Sequence, residues 1–386
     1  MTKTPKHTRT ALRATALAAA GLLAALVSAP ALADQTVVIG LSSPLSGGQA
    51  DFGGDNRDGA QMAVDALNAK GISVGGQTIK FKLQAEDDSA DPKQGVAVAQ
   101  KLVDEKVGYV VGPYNSGVTI PATKVYRQGG AVVATVSTNP EVTASGYDRI
   151  FRTTPSDSQI GARMAEFAAA DLKIKRVAVI DDRTSYGQGI AGVFAEAAKK
   201  LGIQVVSTQY TNDKATDFTG IVTSLRGAKP DAVFYGGYSA QAGPMLRQMK
   251  MLGLGSVKML GGDAICSTQT SDLAQGAISD AVYCGQGGTM LDKATAGQSF
   301  IAQYKARYKR DPLTYAVTFY DSVMMFANAM QKAGSTDPAK VAAWIHANPY
   351  AGIAGEYAFD AKGNQNKAGI TVYQFKGAAP VAIKSM

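Results

Sequence analysis

The sequence predicts an α/β protein in which helices flank parallel sheets and the chain divides into two similar domains. From Thr36 onward, short runs rich in Val, Ile and Tyr alternate with longer segments whose apolar residues recur every three to four positions. That alternation marks βα units around a parallel sheet. The chain has 386 residues, past the length at which a single hydrophobic core keeps growing. A third observation is a repeated pattern. Gly108-Tyr109-Val110-Val111-Gly112-Pro113-Tyr114-Asn115-Ser116 and Asp231-Ala232-Val233-Phe234-Tyr235-Gly236-Gly237-Tyr238-Ser239 each read as a buried strand ending in glycine, then an aromatic and a hydroxyl residue, then a helix. Two such loops at the carboxyl edges of two parallel sheets place the functional site in the cleft between them.

The elements follow in order. Strands are expected at 36–41, 79–85, 109–111, 131–135, 176–180, 204–208, 232–235, 258–260 and 282–284. Helices are expected at 56–70, 91–105, 158–171, 189–201, 218–227, 240–252, 295–308, 314–332 and 338–347. In the first of these, Ala60, Ala63, Val64 and Leu67 share a face; in the second, Asp91 caps and Pro92 opens the first turn. The chain closes with strands at 356–359 and 369–375 around the turn Asp360-Ala361-Lys362-Gly363-Asn364.

Charge says less than its total suggests. There are 39 basic and 31 acidic residues, a net of +8. Lys3, Lys6, Arg9 and Arg13 belong to an N-terminal stretch without acids, and the remainder carries 35 basic against 31 acidic residues, leaving no case for a nucleic-acid partner. The basic stretch, an apolar run at 16–27, Pro30 and the small-residue pattern Ala31-Leu32-Ala33 predict a secretory signal peptide over 1–33, cleaved before Asp34. The run falls short of the roughly 20 apolar residues a membrane span needs, and the expected location is the periplasm. Export favours a disulfide between Cys266 and Cys284 over two free thiols. Beyond the signal segment the only histidine is His346, which argues against a zinc site.

Catalytic signatures are scarce: no Gly-x-Ser-x-Gly elbow, phosphate-binding loop or His-Glu-x-x-His occurs. Gly187-Gln188-Gly189-Ile190-Ala191-Gly192 matches a dinucleotide fingerprint in form. However, Asp181-Asp182-Arg183-Thr184-Ser185-Tyr186 separates it from its strand, and small residues that let a helix pack closely explain it as well. An exported oxidoreductase is the reading it leaves open. Ser116, Ser137 and Thr138 sit where strands give way to loops and helix starts. There, bare N–H groups and hydroxyls hold a carboxylate or serve as ordinary caps. Asp263 and the pair Asp181-Asp182 follow strand ends and offer carboxylates for a cation or act as caps. Phe52, in a Gly-rich loop, and Tyr186 and Tyr238 bring aromatics to the same edges.

These residues resemble the periplasmic solute-binding proteins of ABC transporters for branched-chain and other hydrophobic amino acids. Pro44-Leu45-Ser46-Gly47, Asp87-Asp88 with Asp91-Pro92-Lys93-Gln94, Phe151-Arg152-Thr153-Thr154-Pro155, Tyr186-Gly187, Tyr235-Gly236-Gly237-Tyr238 and Phe359-Asp360-Ala361-Lys362-Gly363 carry the resemblance. It implies a type I periplasmic binding protein: two Rossmann-like lobes joined by three crossovers, the first over 34–156 and 285–369, the second over 157–284 and 370–386. It further implies that Ser116, Ser137 and Thr138 hold a ligand carboxylate, that Asp263 receives the α-ammonium, that Tyr186 and Tyr238 close on the ligand, and that Phe52 stands at the pocket mouth. Asp263 stands where members carry Glu, and the Cys pair lies in the second lobe rather than the first. Both leave room for an amide or an aromatic acid as ligand instead. No catalysis, cofactor, metal or membrane insertion is implied; the expected partners are an amino acid and an ABC permease, and the expected state is a monomer.

Overall fold

The computed structural model describes residues 1–2, 35–288, 290–366 and 369–386; all but the first two residues of the expected signal peptide lie outside them. Among the described residues the first strands are β1 (Gln35–Ser43), β2 (Ile72–Val74), β3 (Gln77–Asp87), β4 (Tyr109–Val111), β5 (Val132–Thr135) and β6 (Ile150–Arg152). They form one sheet in the order β2-β3-β1-β4-β5-β6, parallel except for the β2-β3 hairpin. The strands β7 (Arg176–Asp181), β8 (Gln204–Tyr210), β9 (Ala232–Gly236), β10 (Lys258–Gly261) and β11 (Val282–Gly287) continue in parallel in a second sheet. A short pair follows, β12 (Tyr350–Ala351) and β13 (Glu356–Tyr357), and then β14 (Ile370–Lys376) and β15 (Ala379–Ser385) return antiparallel beside β11.

The helices are α1 (Ala50–Lys70), α2 (Pro92–Asp104), α3 (Ser116–Gly129), α4 (Glu141–Ala144), α5 (Asp157–Ala170), α6 (Ser185–Lys200), α7 (Thr219–Ala228), α8 (Ser239–Met251), α9 (Thr268–Ala274), α10 (Thr295–Tyr308), α11 (Ala316–Ala333) and α12 (Pro338–Ala347). Strand alternation sorts them onto the two faces of each sheet. In the first sheet, Ile39 and Leu41 point into a core with Val64 and Leu67 of α1 and Phe319, Val323 and Phe326 of α11. Val110 and Val133 point the other way, onto Val98 and Leu102 of α2 and Ala122 and Tyr126 of α3. In the second sheet Val177, Val179 and Phe234 meet Ile160, Met164 and Phe194. Their neighbours Ala178, Ile180 and Val233 meet Val222, Leu225, Met245 and Leu246.

Helix α11 lies late in the chain yet packs on α1, β2 and β4 of the first sheet, while β14 and β15 rejoin the second. The chain therefore passes between two lobes after β6, after β11 and again before β14. Several expected boundaries shift for local reasons. The glycines at 53 and 54 do not keep 50–55 in a loop. Gly53 is instead the residue that brings α1 against the chain at Pro44, since a Cβ there would lie 1.9 Å from the Pro44 carbonyl oxygen. Phe52 is accordingly helical. The expected strand at 356–359 is reduced to two paired residues, with Phe359 in a single bridge to Gln365. Cys266 and Cys284 form the expected disulfide, fastening the one-turn 3-10 segment Asp263–Ile265 to β11.

Candidate functional site between the two sheets

On the first sheet, the loops after β4 and β5 are bound into one unit. Thr135 Oγ1 donates to the Pro113 carbonyl at 2.7 Å, and Ser137 Oγ lies 2.6 Å from Thr119 Oγ1 and donates to the Tyr114 carbonyl at 3.1 Å. Asn139 N donates to Ser116 Oγ at 3.2 Å. Beneath them the buried Arg152 donates to the carbonyls of Ser137 (2.6 Å) and Asn139 (2.8 Å), to Thr143 Oγ1 and to Asn364 Oδ1. A guanidinium suits this role because its donors form a rigid planar fork. Burial pulls its pKa down to about 10, so it stays charged. Ser116, Ser137 and Thr138 are all buried. They differ in what they offer: Ser137 spends its hydroxyl on the two loops, whereas Ser116 opens α3. Asn115, at the N-cap position of that helix, makes no side-chain cap bond and instead donates to Gln49 Oε1 at 2.7 Å.

On the second sheet, the loops after β7, β9 and β10 carry Tyr186, Tyr238 and Asp263. Thr184 caps α6 by accepting from Gly187 N, which sets Tyr186 in the first turn. Gly262 admits the tyrosine: a Cβ there would stand 2.6 Å from its hydroxyl and 2.3 Å from Ile190 Cδ1. The Tyr186 hydroxyl donates to Asp263 Oδ1 at 3.0 Å, and from the other lobe the Tyr315 hydroxyl donates to Oδ2 at 2.6 Å. Burial raises the pKa of Asp263, an effect these two hydroxyls oppose, and burial with the Asp263 charge drives both tyrosines far up. Gly187 and Gly189 lie inside α6, pressed against Asp182, Gly236, Asn139 and Asp157. Close packing accounts for the dinucleotide-like spacing.

The two lobes meet through aromatics. Phe52 stacks on Tyr114 with centroids 5.7 Å apart. Tyr114 lies 6.2 Å from Tyr238 and 6.1 Å from Tyr315, and Tyr238 lies 5.1 Å from Tyr186. All five rings are buried. Phe52, Tyr186, Tyr238 and Asp263 thus join one cluster through Tyr114 and Tyr315. Further bonds span the lobes: Asn139 Nδ2 to the Ser185 carbonyl at 2.7 Å, and Gln269 Nε2 to Asp51 Oδ2 at 3.0 Å. The cleft is closed. Open grooves remain on its flanks, about 270 Å³ beside Asn115, Asp182 and Tyr238 and about 510 Å³ beside Asp51, Gln269 and Arg310. A groove of about 360 Å³ by Leu291, Pro312 and Pro380 lies against β14 and β15, away from the aromatic cluster.

Sequence reasoning assigned no role to Tyr315, Asn139 or Asp157. Tyr315 is 52 positions from its partner Asp263, and no local pattern announces such a contact. Asp157 stands at a lobe boundary and opens α5, where acids are common for helix-dipole reasons alone. Among the described residues no group of three or more His, Cys, Asp or Glu could hold a metal, and no helix is long and apolar enough to cross a membrane.

Comparison with known proteins places this geometry in a family. The model for the periplasmic binding protein family matches residues 36–379. An amino acid binding protein of Pseudomonas aeruginosa is 34% identical over 351 residues, covering 90% of this chain and 92% of its own. The leucine-, isoleucine-, valine-, threonine-, and alanine-binding protein of the same organism is 33% identical over 358 residues, 92% of this chain and 94% of its own. Among solved structures, the branched-chain amino acid transporter substrate binding protein LivJ of Streptococcus pneumoniae, in complex with isoleucine, superposes with a TM-score of 0.81 at 26% identity, covering 90% of this chain and all of its own. The chain belongs to the periplasmic binding protein family, whose members are solute-binding receptors and not enzymes.

Proposed function

We propose that the protein is the periplasmic receptor of an ABC importer, which captures a branched-chain or other hydrophobic amino acid between its lobes and delivers it unchanged to a permease. The observation that carries this reading is the polarity of the closed cleft. On one side, the first turn of α3 and the loop at Ser137 and Thr138 present N–H groups and hydroxyls suited to a carboxylate. On the other, Asp263 presents a buried carboxylate suited to an ammonium. Between them Phe52, Tyr114, Tyr186, Tyr238 and Tyr315 make an apolar wall. The names and bound ligand of the relatives point to the same chemistry.

In this reading the signal peptide at 1–33 directs export and the receptor acts as a monomer without a cofactor. The lobes are 34–156 with 285–369, and 157–284 with 370–386. Ser116, Thr138 and the N–H groups beside them hold the carboxylate, while Ser137 contributes by fixing the loops. Asp263 takes the ammonium. Tyr186 and Tyr238, contacts of the second lobe, form only on closure, so the ligand shifts the equilibrium toward the closed form. The test is calorimetry on protein denatured and refolded to expel carried ligand, titrated with leucine, isoleucine, valine, phenylalanine, their amides and benzoate. Binding of at least one aliphatic amino acid in preference to amides and amine-free acids is expected. Preferential binding of benzoate or of an amide would overturn the assignment.

A further inference from the structure

Asp157 stands out among the buried acids of the described residues. It is fully buried, neither carboxylate oxygen forms a regular hydrogen bond, and the Thr138 hydroxyl is the hydrogen-bonding group that approaches it. Buried carboxylates in folded proteins are almost always paired or hydrogen-bonded, because leaving one alone costs several kcal/mol. Its position in the first turn of α5 does not account for it. The start of that helix is capped by Ser156 and Gln159, through Ser156 N donating to Gln159 Oε1 at 2.9 Å. Asp157 itself accepts none of the first-turn N–H groups, although its own N–H reaches the Thr138 carbonyl at 2.8 Å.

Its surroundings are the cleft. Asp157 and the Asn139 amide both crowd the Cα of Gly189, so that a Cβ there would lie 2.9 Å from Asp157 Oδ2 and 2.8 Å from Asn139 Nδ2. The titratable and charged groups that face it are Asp263, which repels its charge, Arg152, which attracts it, and Tyr186; the Thr138 side chain also turns toward it. Arg152 cannot serve as its partner, because its donors are committed to Ser137, Asn139, Thr143 and Asn364. Two buried acids therefore act on one another in the cleft, and among the described residues neither forms a salt bridge.

We infer that Asp157 is a second acceptor for the ligand's cationic group, acting with Asp263 so that the site requires an amine and discriminates against carboxylic acids that lack one. The inference rests on the proposed amino-acid reading and deepens it: with Asp157 beside Asp263, the ligand's cation meets two acceptors instead of one. Like charges this close do not both ionise without a cation between them. In the ligand-free protein Asp157 stays protonated at neutral pH, held up to about 8 by burial and by Asp263. An ammonium arriving between the two acids favours ionisation, so binding expels a proton.

The experiment compares wild type with Asp157→Asn, which keeps the shape and removes the charge. Leucine and 4-methylpentanoate, the same skeleton without the amine, are titrated at pH 7 in phosphate and in Tris, whose ionisation enthalpies differ. Wild type is expected to prefer leucine and to release up to one proton on binding it. The variant should lose tenfold or more in leucine affinity, keep its affinity for 4-methylpentanoate and release no proton, while melting no lower than wild type. A variant that keeps the wild-type preference for leucine, or loses both ligands equally, overturns the inference and leaves the amino-acid reading intact. So does a wild type that binds leucine without proton release, a result that needs no variant. Wild type binding 4-methylpentanoate as tightly as leucine, or binding neither, overturns both.

Discussion

The two lobes offer the same secondary structure at the cleft and opposite chemistry. In the first, the loops after β4 and β5 are tied to each other by Thr135, Ser137, Ser116 and Thr119 and held from below by Arg152. They form one hydrogen-bonded unit. In the second, the loops after β7, β9 and β10 carry an acid and two tyrosines, and their geometry is set by a helix cap, a missing side chain at Gly262 and a disulfide. The contrast teaches that one fold, repeated, can present unlike edges to one cleft: hydroxyls and backbone N–H groups on one side, a carboxylate and phenols on the other, which is what the proposed zwitterionic ligand would require.

The disulfide should break that contrast on one side only. Cys266 and Cys284 are 18 positions apart, and closing such a loop contributes about 3 kcal/mol in the chain-entropy model. Cys266→Ser with Cys284→Ser is expected to lose about that much in denaturant unfolding. Faster hydrogen exchange should be confined to β10 and β11, with β4 and β5 unchanged. Uniform loss across both sheets would show that the lobes are not separable in this way.

Removing the acid should have the next largest effect. Asp263→Ala takes away the expected partner of the ammonium and strands the hydroxyls of Tyr186 and Tyr315, so leucine affinity should fall about 30-fold, or about 2 kcal/mol. Calorimetry reads this directly, and an unchanged affinity would remove Asp263 from the site.

A smaller effect comes from pH. Asp55, Asp88, Asp182 and Asp321 are raised to about 6 and Asp157 to about 8, all chiefly by burial. Each is protonated in the folded protein at pH values where the unfolded chain, with ordinary carboxylates, is ionised. The folded state binds the extra protons, so stability falls as pH rises through these values. Between pH 6 and 8 Asp157 contributes most of the fall, roughly 1–2 kcal/mol, which thermal melts of the ligand-free protein would read as a loss of a few degrees. Asp157→Asn should flatten that part of the profile.

Most of the architecture was legible because buried parallel strands such as Tyr109–Val111 and Ala232–Gly236 are continuous apolar runs. Among the strands at a sheet edge β8 was legible, but β2, at three residues, and β15, alternately exposed and half-buried, carry too little apolar signal. The glycines around Phe52 favour a loop there, and close packing of α1 against Pro44 overrides that local preference. Asp263, Tyr186 and Tyr238 stand at strand ends, where periodicity stops and side chains converge. Tyr315 and Asp157 reach the same cleft from a late helix start and a crossover, so their approach to Asp263 depends on how the lobes sit together, which no window of sequence contains.

The final strand of the first sheet, β6, is completed by chain from far downstream: Arg152 N donates to the Gly363 carbonyl at 2.8 Å, and the Arg152 side chain reaches Asn364 Oδ1 at 3.3 Å. A fragment ending after β6 would therefore expose a bare sheet edge and leave a guanidinium half satisfied, while also lacking α11 against α1. The receptor cannot be cut into two working pieces at its first crossover. A split sensor or circular permutant built on it would have to keep 356–366 covalently or non-covalently with the first lobe.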